Sequence, residues 1–427
     1  LFCATTAQAA GVSITLTASE YALHYAFDAG AQDPFVILEY ATPAEKGWMM
    51  LYSADGHFEG DVSLTYSGAG GKTSVALTSA RTTGSIGKAS TTLPKAADYQ
   101  KPTGKSNAKV TDFVLTETPE GFHYAFNAIG TDYMLLYWRS KEQTVTQPVY
   151  PDENGHYEGD VVSELTFART QFTVQVKSGS GSMKKEATVR KGYQAPEAPQ
   201  RQEGRLSGVT VCIDAGHQEN GRFVNEPIGP GLTGSTSGKG GMAQGTKTNR
   251  RESIVCLEIG MLLRDELLRQ GANVVMTRED QTTFHTNIER CEIAEAGGAQ
   301  IMLRLHCNNS SNRSKRGIQV YGPLNSDYAK AVADADTYRE MGQKLLDAMK
   351  TRVGMTLANS TGMVRLNDNY VGNNWAKMMC FLVEMGYLSN PAEEYLLVTP
   401  VYQQWLAEGM ADGVYEIAVA RGWVQAQ

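Results

Sequence analysis

Hydrophobic and polar residues alternate with different periods in the two halves of this 427-residue chain. In the first half, short runs such as VSITLTA and FTVQVKS place an apolar residue at about every second position. Clusters of Gly, Asn, Asp and Pro separate these runs. A period of two is typical of strands in antiparallel sheets that bury one face. We therefore predict that the first half is all-β.

An internal repeat divides this first half into two copies at an offset of 99 residues. The run HYAF at residues 24–27 recurs at residues 123–126. The run GHFEGDV at residues 56–62 recurs as GHYEGDV at residues 155–161. Both runs are too long and too similar in spacing to be coincidental, so the first half is predicted to contain two related domains.

Each copy, residues 11–98 and 107–191, has the length of a small β-sandwich, and an immunoglobulin-like or fibronectin-like type is expected. The four histidines of the repeats show no ligand spacing typical of a metal site, so we interpret them as parts of polar strand faces and turns. They are His24, His57, His123 and His156. The strand aromatics favour core packing, and wall or glycan binding by the repeats is a further hypothesis.

The segments outside the repeats predict export and a linker. Residues 1–10 resemble the end of a signal peptide, because they are apolar and small and Ala7 to Ala9 fits a small-x-small cleavage site. This predicts a secreted or cell-wall-associated protein. Residues 192–206 are polar, contain two prolines and have no apolar period, so they are predicted to be an interdomain linker.

The second half, residues 207–424, alternates continuous apolar runs with helical patterns. The predicted strands are 208–214, 272–277, 300–306, 317–321 and 377–384, and the predicted helices are 252–270, 287–296, 338–352 and 401–420. Such alternation predicts an α/β domain with a mainly parallel sheet flanked by helices. In sheets of this kind the binding site lies at the C-terminal ends of the strands.

Three chemically active side chains come at predicted strand ends. His217 follows the apolar run VCIDAG, His306 ends the run IMLRLH, and Glu384 ends the run MMCFLVE. Because parallel strands end at one edge of the sheet, we expect these residues to lie together. Two imidazoles and a carboxylate are what a catalytic zinc site needs. A carboxylate that follows four apolar residues is costly to bury without a function.

A third zinc ligand is expected from a helix start near the histidines, since catalytic zinc commonly takes three protein ligands. Glu252 opens the helix that follows a long Gly-rich loop and fits this position. Spacing alone leaves Glu219, Glu226 and Glu258 as alternatives. Glu384 then remains free to act as general base and acid.

Composition and charge exclude several other classes of function. The formal net charge of −7 argues against a general nucleic-acid binder, because such proteins need basic patches. The sequence contains no run of about 18 apolar residues that would predict a membrane span. The six cysteines form no C-x-x-C pair, which argues against a zinc finger or a redox motif. The Gly-rich segment 229–245 lacks the strand and the Ser or Thr of a phosphate-binding loop.

Four motifs of the second half, taken in order, resemble one enzyme family. DAGH at residues 214–217, Glu252 at a helix start, LHCN at residues 305–308 and LVEMGYLSN at residues 382–390 are similar to the zinc-dependent N-acetylmuramoyl-L-alanine amidases of bacterial cell walls, of the amidase-3 type. The resemblance covers about residues 208–420 and leaves both repeats outside.

The resemblance implies a residue for each role in catalysis. His217, Glu252 and His306 would bind one Zn²⁺, and Glu384 would be the catalytic carboxylate. The implied reaction is hydrolysis of the amide bond between N-acetylmuramic acid and L-alanine in peptidoglycan. Two alternatives remain, namely a zinc carboxypeptidase acting within the stem peptide and a wall-binding protein with an inactive amidase domain.

Three residues before the Glu384 strand are candidates for substrate binding. Arg365, Asn374 and Trp375 carry groups that could contact the stem peptide or the glycan. The alternative is that they only shape a loop. Peptidoglycan is the expected partner.

Overall fold

The computed structural model describes most of the chain, and the chain divides into two compact units. The units are Leu1–Tyr193 and Gln194–Gln427. The described residues are 5–8, 12–19, 22–43, 46–64, 70–95, 108–118, 121–129, 134–139, 144–162, 170–178, 182–191, 196–218, 224–236, 241–354 and 364–426.

The described residues of the first unit form strands and no helix. The strands are β1 Thr5–Gln8, β2 Ser13–Ala18, β3 Ala22–Asp28, β4 Phe35–Ala41, β5 Lys46–Tyr52, β6 His57–Ser63, β7 Gly71–Ser79, β8 Ser85–Leu93, β9 Lys109–Thr118, β10 Gly121–Ile129, β11 Met134–Arg139, β12 Thr144–Val149, β13 His156–Val162, β14 Thr170–Ser178 and β15 Met183–Lys191. The prediction of an all-β first half is confirmed.

The first repeat consists of two four-stranded sheets that share one apolar core. Their strand orders are β1-β2-β3-β6 and β5-β4-β7-β8, and neighbouring strands are antiparallel. Alternate residues of β2, β3, β7 and β8 are buried, as the period of two predicts, whereas β4 buries four successive residues. Leu16 and Tyr25 from the first sheet and Leu38 and Leu77 from the second belong to the same cluster.

The second repeat has the same construction. A three-stranded sheet, β13-β10-β9, and a four-stranded sheet, β12-β11-β14-β15, contribute to one apolar cluster. Phe122 and Tyr157 come from the first sheet, and Leu136, Trp138 and Val174 come from the second. The immunoglobulin-like type of the repeats stays a prediction.

The second unit is an α/β domain. Its strands are β16 Thr210–Ala215, β17 Asn273–Met276, β18 Ile301–Asn308, β19 Gln319–Gly322, β20 Val364–Leu366 and β21 Met379–Tyr387. Its helices are α1 Glu252–Arg269, α2 Asn287–Ala296, α3 Asp327–Val332, α4 Ala335–Val353, α5 Val371–Trp375, α6 Glu393–Leu396 and α7 Pro400–Ala420.

One six-stranded sheet, in the order β17-β16-β18-β21-β19-β20, forms the centre of this unit. All its neighbouring strands are parallel except β19 and β21. Helix α1 packs against β16, β17 and β18 and also against α7, and α4 packs against β19, β20 and α7. Because α1 is covered on both sides, it is buried almost all round its N-terminal half.

Several predicted boundaries and connections differ from the structure. Strands β18 and β21 run two or three residues beyond their predicted ends, so His306 and Glu384 lie within strands and not at their last positions. Helix α4 begins three residues earlier than predicted, at Ala335. The last part of the predicted linker contacts α1, since the N–H groups of Gln202 and Leu206 donate to carbonyl oxygens at its C-terminal end. Residues 192–195 lie outside the described residues.

The predictions on membrane spans and on a signal peptide concern the chain as a whole. No helix within the described residues is both long enough and apolar enough to cross a membrane. Of residues 1–10, the described part is β1, which pairs with β2, and the signal-peptide interpretation stays a prediction. The five described cysteines are buried free thiols.

Candidate metal centre

Adjacent parallel strands bring the predicted site residues to one place on the sheet. His306 on β18 lies directly beside Glu384 on β21 in the strand register. His217 follows β16, the other neighbour of β18, and adopts a left-handed backbone with φ of 58°. Gly216 precedes it, and a Cβ atom there would lie 2.4 Å from the carbonyl oxygen of Leu305 and 2.6 Å from the His306 ring. Glycine therefore allows the two histidines to approach each other.

Two imidazoles and one carboxylate form a compact group. The ligand atoms of His217, Glu252 and His306 lie within 4.8 Å of one another, and this is the one such group found among the described residues. Oε1 of Glu252 lies 3.1 Å from Nε2 of His217 and 3.0 Å from Nδ1 of His306. The two rings meet edge to face with centroids 4.9 Å apart.

The backbone fixes the orientation of Glu252, which is the first residue of α1 and is 3% exposed. Its Oε1 accepts a hydrogen bond of 3.0 Å from the N–H of Cys307, and its Oε2 accepts one of 2.8 Å from the N–H of Ala243. Burial alone would raise the pKa of Glu252, but hydrogen bonds and charges from the two histidines outweigh it and hold this pKa far below its usual range. Glu252 is therefore a rigidly held, ionised carboxylate.

The other candidate carboxylates have different partners. Glu258 forms an ion pair with Arg250 and accepts a hydrogen bond of 2.9 Å from Gln403. Glu226 accepts hydrogen bonds from the N–H groups of Asn287 and Ile288, 3.2 and 2.8 Å long, at the N-terminus of α2. Glu219 lies outside the described residues. Of the described candidates, only Glu252 contacts the two histidines.

Glu384 lies in the same cavity as this group without contacting a cation. Its Oε2 is buried and has no hydrogen-bond partner among the described residues. Burial, together with the negative charge of Glu252, raises the pKa of Glu384 to about 8. Burial likewise lowers the pKa of His306, which favours the neutral imidazole that metal binding requires. With its raised pKa, the carboxyl group of Glu384 can exchange a proton near neutral pH.

A buried network of charges holds the turn that carries His217. Asp214 is fully buried and pairs with Arg290 and with Arg304, whose Nε lies 2.9 Å from Oδ2. Burial would raise the pKa of Asp214, but the two guanidinium groups hold it well below its usual range. Arg290 also donates to the backbone oxygens of Ala215 and His217, at 2.9 and 3.2 Å.

A further arginine connects the same turn to α1 by hydrogen bonds. Arg278, just after β17, donates to the backbone oxygens of Ala215 and Gly216, both at 2.8 Å, and to that of Ser253 at 2.7 Å. Ser253 follows Glu252 on α1. The histidine-bearing turn and the carboxylate-bearing helix start are thereby joined through one side chain.

The four central residues line a single cavity of about 580 Å³. Its walls also include Glu226, His285, Asn287, Arg290 and Tyr370. The cavity is therefore large enough for part of an extended substrate, and both polar and apolar side chains line it.

The predicted substrate-binding residues lie away from this cavity. Arg365 is exposed on β20. The amide of Asn374 donates to the backbone oxygen of Ile228 at 2.9 Å, and Nε1 of Trp375 donates to that of Pro227 at 2.8 Å. None of the three is among the residues that line the cavity in the described part of the chain. Through these hydrogen bonds Asn374 and Trp375 connect α5 to the segment that contains Pro227 and Ile228. Their role in substrate binding stays a prediction.

Sequence reasoning missed the Asp214–Arg304 pair and the cavity residue Tyr370. The pair had a signal, since each charge interrupts an apolar strand that predicts burial, and a buried charge needs a partner. Tyr370 had no such signal in the sequence, because it lies in an irregular segment before the short helix α5.

The residues present fit a metal ion. Nε2 of His306 and Oε2 of Glu384 are buried polar atoms without a hydrogen-bond partner among the described residues. Polar groups are rarely left unpaired in this way without an unseen ligand or a chemical role. The donor set of two imidazoles and one carboxylate suits zinc and leaves a further coordination position.

Comparison with known proteins gives the same result for residues 211–416, which match the family model described as N-acetylmuramoyl-L-alanine amidase. The chain is 26% identical over 231 residues to the germination-specific N-acetylmuramoyl-L-alanine amidase of Bacillus subtilis (strain 168), covering 51% of this chain and 83% of that protein. It is 27% identical over 218 residues to the probable cell wall amidase LytH of Staphylococcus aureus, covering 50% of this chain and 60% of that protein. Among solved structures it is similar to the apo amidase Ami1 of Mycobacterium abscessus, with 20% identity, a TM-score of 0.45 and coverage of 50% of this chain and 99% of that one.

Proposed function

We propose that this chain, whose residues 211–416 match the N-acetylmuramoyl-L-alanine amidase family model, hydrolyses peptidoglycan with zinc as cofactor. The bond cleaved is the amide between N-acetylmuramic acid and the L-alanine of the stem peptide. The observation that carries the proposal is the group of His217, Glu252 and His306, whose ligand atoms lie within 4.8 Å of one another. Glu384 lies in the same cavity.

The roles of the residues follow from their environments. His217, Glu252 and His306 would hold the ion, which would polarise the scissile carbonyl and activate a water molecule. Glu384 has a free oxygen and a pKa raised to about 8, so it accepts a proton from water and returns it to the departing amino group of L-alanine. Arg278 and Arg290 keep His217 in position through the backbone oxygens of its turn.

The remaining predictions about the chain accord with this function. Two sheets around one apolar cluster support a β-sandwich in each repeat, with an immunoglobulin-like or fibronectin-like type. A peptidoglycan hydrolase acts outside the cytoplasm, which supports a secreted or wall-associated protein and a signal remnant in residues 1–10. The repeats bind wall components in this proposal, and Arg365, Asn374 and Trp375 are candidates for contacts with substrate.

The proposal is tested by digesting peptidoglycan with the full chain and identifying soluble products by mass spectrometry. We expect stem peptides with a free L-alanine amino terminus, loss of activity with chelator and recovery with zinc. Glu252→Gln is expected to lower both zinc content and activity. Glu416→Gln is the control in the same unit, since Glu416 is exposed on α7 and does not line the cavity, and its zinc content should be unchanged.

Three results would contradict parts of the proposal. Release of a single amino acid from the carboxyl end of the stem peptide would indicate a carboxypeptidase. Bound zinc with no released product would indicate a wall-binding protein with an inactive domain. Full activity after chelation and in Glu252→Gln would exclude the assigned metal site.

A further inference from the structure

The sheet β5-β4-β7-β8 of the first repeat carries a groove on the face that points away from the apolar core. Its volume is about 610 Å³, which is within the range of cavities that bind small ligands. Small residues form its floor, since Ala41 on β4 pairs with Ser74 on β7, and Ser74 pairs with Ser90 on β8. These short side chains leave an open space above the sheet.

Three lysines line this space, and we name it the lysine groove. Lys46 lies on β5, Lys72 on β7 and Lys88 on β8, and all three are exposed. None of their side chains forms an ion pair or a hydrogen bond within the described part of the chain. The described lining includes one acidic residue, Glu39, so these four side chains carry a net charge of +2. The groove is thus positive in a chain whose formal net charge is −7.

The two repeats can be compared residue by residue on this face, because their sheets have the same strand pairing. Val75 on β7 pairs with Ala89 on β8, and Val174 on β14 pairs with Ala187 on β15. The two valines are separated by 99 residues, which is the offset of the internal repeat. Strands β7 and β8 therefore correspond to β14 and β15.

The corresponding face of the second repeat is occupied by its own side chains. Ala76 corresponds to Gln175, and Lys88, which pairs with Ala76, corresponds to Glu186. The amide of Gln175 donates a hydrogen bond to Oε2 of Glu186. A long side chain thus replaces a methyl group, and a negative charge replaces a positive one. The fold of a repeat therefore requires neither the open space nor the lysine.

Two further contacts on this face of the second repeat have no counterpart in the first. Lys72 corresponds to Gln171, whose Oε1 accepts a hydrogen bond of 3.2 Å from Nε of Arg190. Nζ of Lys177 lies 3.9 Å from the centroid of the Tyr137 ring. Polar side chains of the second repeat therefore contact one another, whereas the lysines of the first repeat face an open groove.

Protection of the sheet edges explains only part of this pattern. Strands β5 and β8 are the edge strands of the sheet, and lysines on edge strands prevent pairing with other chains. Lys72, however, lies on β7, between β4 and β8. Like charges around one cavity repel one another, and a bound anion would relieve this repulsion.

We propose that the lysine groove binds the stem peptide of peptidoglycan through the carboxylates of that peptide. The proposal rests on the function proposed above, which makes peptidoglycan the polymer on which the chain acts. The ammonium groups of Lys72 and Lys88 form charge-assisted hydrogen bonds with the carboxylates. The hydroxyl group of Ser74 on the floor donates to a carbonyl oxygen of the peptide.

Glu39 favours a peptide over a polymer of phosphate groups. It lies beside Ala76 in the strand register and lines the groove, where its carboxylate would repel a uniformly anionic chain. A peptide that carries both carboxylates and an amino group can place its ammonium group near Glu39 and its carboxylates near the lysines. The charges of the groove are therefore complementary to such a peptide.

Sedimentation of the full chain with insoluble peptidoglycan tests this site. The parent is Glu384→Gln, so that the polymer is not digested during the measurement. We expect Lys72→Gln/Lys88→Gln to raise the Kd about tenfold, because it removes two charge-assisted contacts. The matched control is Lys109→Gln/Lys185→Gln, which removes two exposed lysines from the second repeat and should bind like the parent.

Ala76→Gln tests the open space separately from the charge. It introduces the side chain that the second repeat has at Gln175 and leaves the three lysines in place. We expect a similar rise in Kd, because the glutamine occupies the space of the ligand. Thermal melting shows whether each variant is folded, and if one of the two groove variants unfolds, the other decides the outcome.

Competition identifies the ligand of the groove. Soluble stem peptides should abolish the difference in binding between the parent and the groove variants, whereas glycan strands freed of peptides and poly(glycerol phosphate) should leave it. Wild-type binding in the folded groove variants would overturn the proposal, and so would loss of the difference with either of these two polymers. Failure of the amidase proposal would appear instead as no stem peptide released by the wild-type chain, with the difference in binding intact.

Discussion

Two groups of the same composition, two histidines and one glutamate, lie in opposite environments in this chain. The side chain of Glu252 is 4% exposed and accepts two backbone hydrogen bonds, whereas that of Glu59 is 59% exposed and is held by side chains alone. In the buried group the fold fixes the ligand positions, and charges interact strongly. In the exposed group, which consists of His24, His57 and Glu59, water screens the charges, and side-chain contacts alone hold the residues. Burial, and not residue type, therefore distinguishes the two groups.

The largest effect expected from this comparison concerns Glu384. Glu384→Gln removes the proposed proton carrier but keeps its size and leaves His217, Glu252 and His306 in place. Because general acid–base catalysis contributes roughly 10²–10⁴-fold, we expect kcat to fall by about that factor with zinc content unchanged. Product release from peptidoglycan and metal analysis measure both quantities.

The matched control for this experiment is Glu416→Gln, an exposed carboxylate on α7. It should retain wild-type turnover, because it lies in the same domain but outside the cavity. A Glu384→Gln enzyme with the turnover of this control would exclude Glu384 as the proton carrier.

The second prediction compares a buried and an exposed aspartate, each of which contacts a basic side chain. Asp214→Asn leaves Arg290 and Arg304 buried without their carboxylate, and breaking such pairs costs about 3–5 kcal/mol of unfolding free energy. Asp61→Asn breaks an exposed contact with His24 and should cost at most about 1 kcal/mol. Urea unfolding followed by hydrogen exchange assigns each loss to its own unit.

Losses of equal size in these two variants would contradict the argument from burial. Zinc titration of the folded Asp214→Asn variant checks whether the buried pairs of Asp214 with Arg290 and Arg304 support the site. Asp214→Asn should lower zinc affinity under conditions in which the domain remains folded, because the turn bearing His217 loses the side chain that orients Arg290.

The regular part of the fold and the central residues of the site could be predicted from the sequence. Long apolar runs and helical periods located the strands and helices of the second unit, and strand ends located His217, His306 and Glu384. Helices α3, α5 and α6 and strand β20 are too short to show a period. The helix start and the order of the family motifs favoured Glu252 over Glu258, but the contacts that separate them are made by residues far apart in sequence.

The histidines of the repeats mark a second limit of sequence analysis. His24 and His57 are separated by more than 30 residues along the chain, and both contact Glu59 only because β3 pairs with β6 in a particular register. Their spacing along the chain therefore gives no sign of this contact. The alternation of buried and exposed positions in both strands places them on one face, but the register that aligns them is a property of the folded sheet.

An effect smaller than that of Asp214→Asn is expected from Glu393, a buried acid outside the group of His217, Glu252 and His306. Glu393 is 3% exposed, and its oxygens accept hydrogen bonds of 2.7 and 2.8 Å from the N–H groups of Gly317 and Tyr387. Burial nevertheless raises its pKa to about 7. Because the folded pKa exceeds the unfolded value of about 4.5, the native state favours the protonated form. This contribution to stability is complete below about pH 4.5 and is lost as pH rises through about 7.

We therefore expect the second unit to lose about 1–3 kcal/mol of unfolding free energy from Glu393 between pH 4.5 and pH 7. Glu393→Gln should remove this part of the pH dependence, although its amide faces one N–H donor and lowers stability at every pH. Urea unfolding at several pH values gives the slope, and Glu416→Gln should keep the wild-type slope. Parallel curves for wild type and Glu393→Gln would show that Glu393 is ionised in the native state throughout, and that its two backbone hydrogen bonds outweigh its burial.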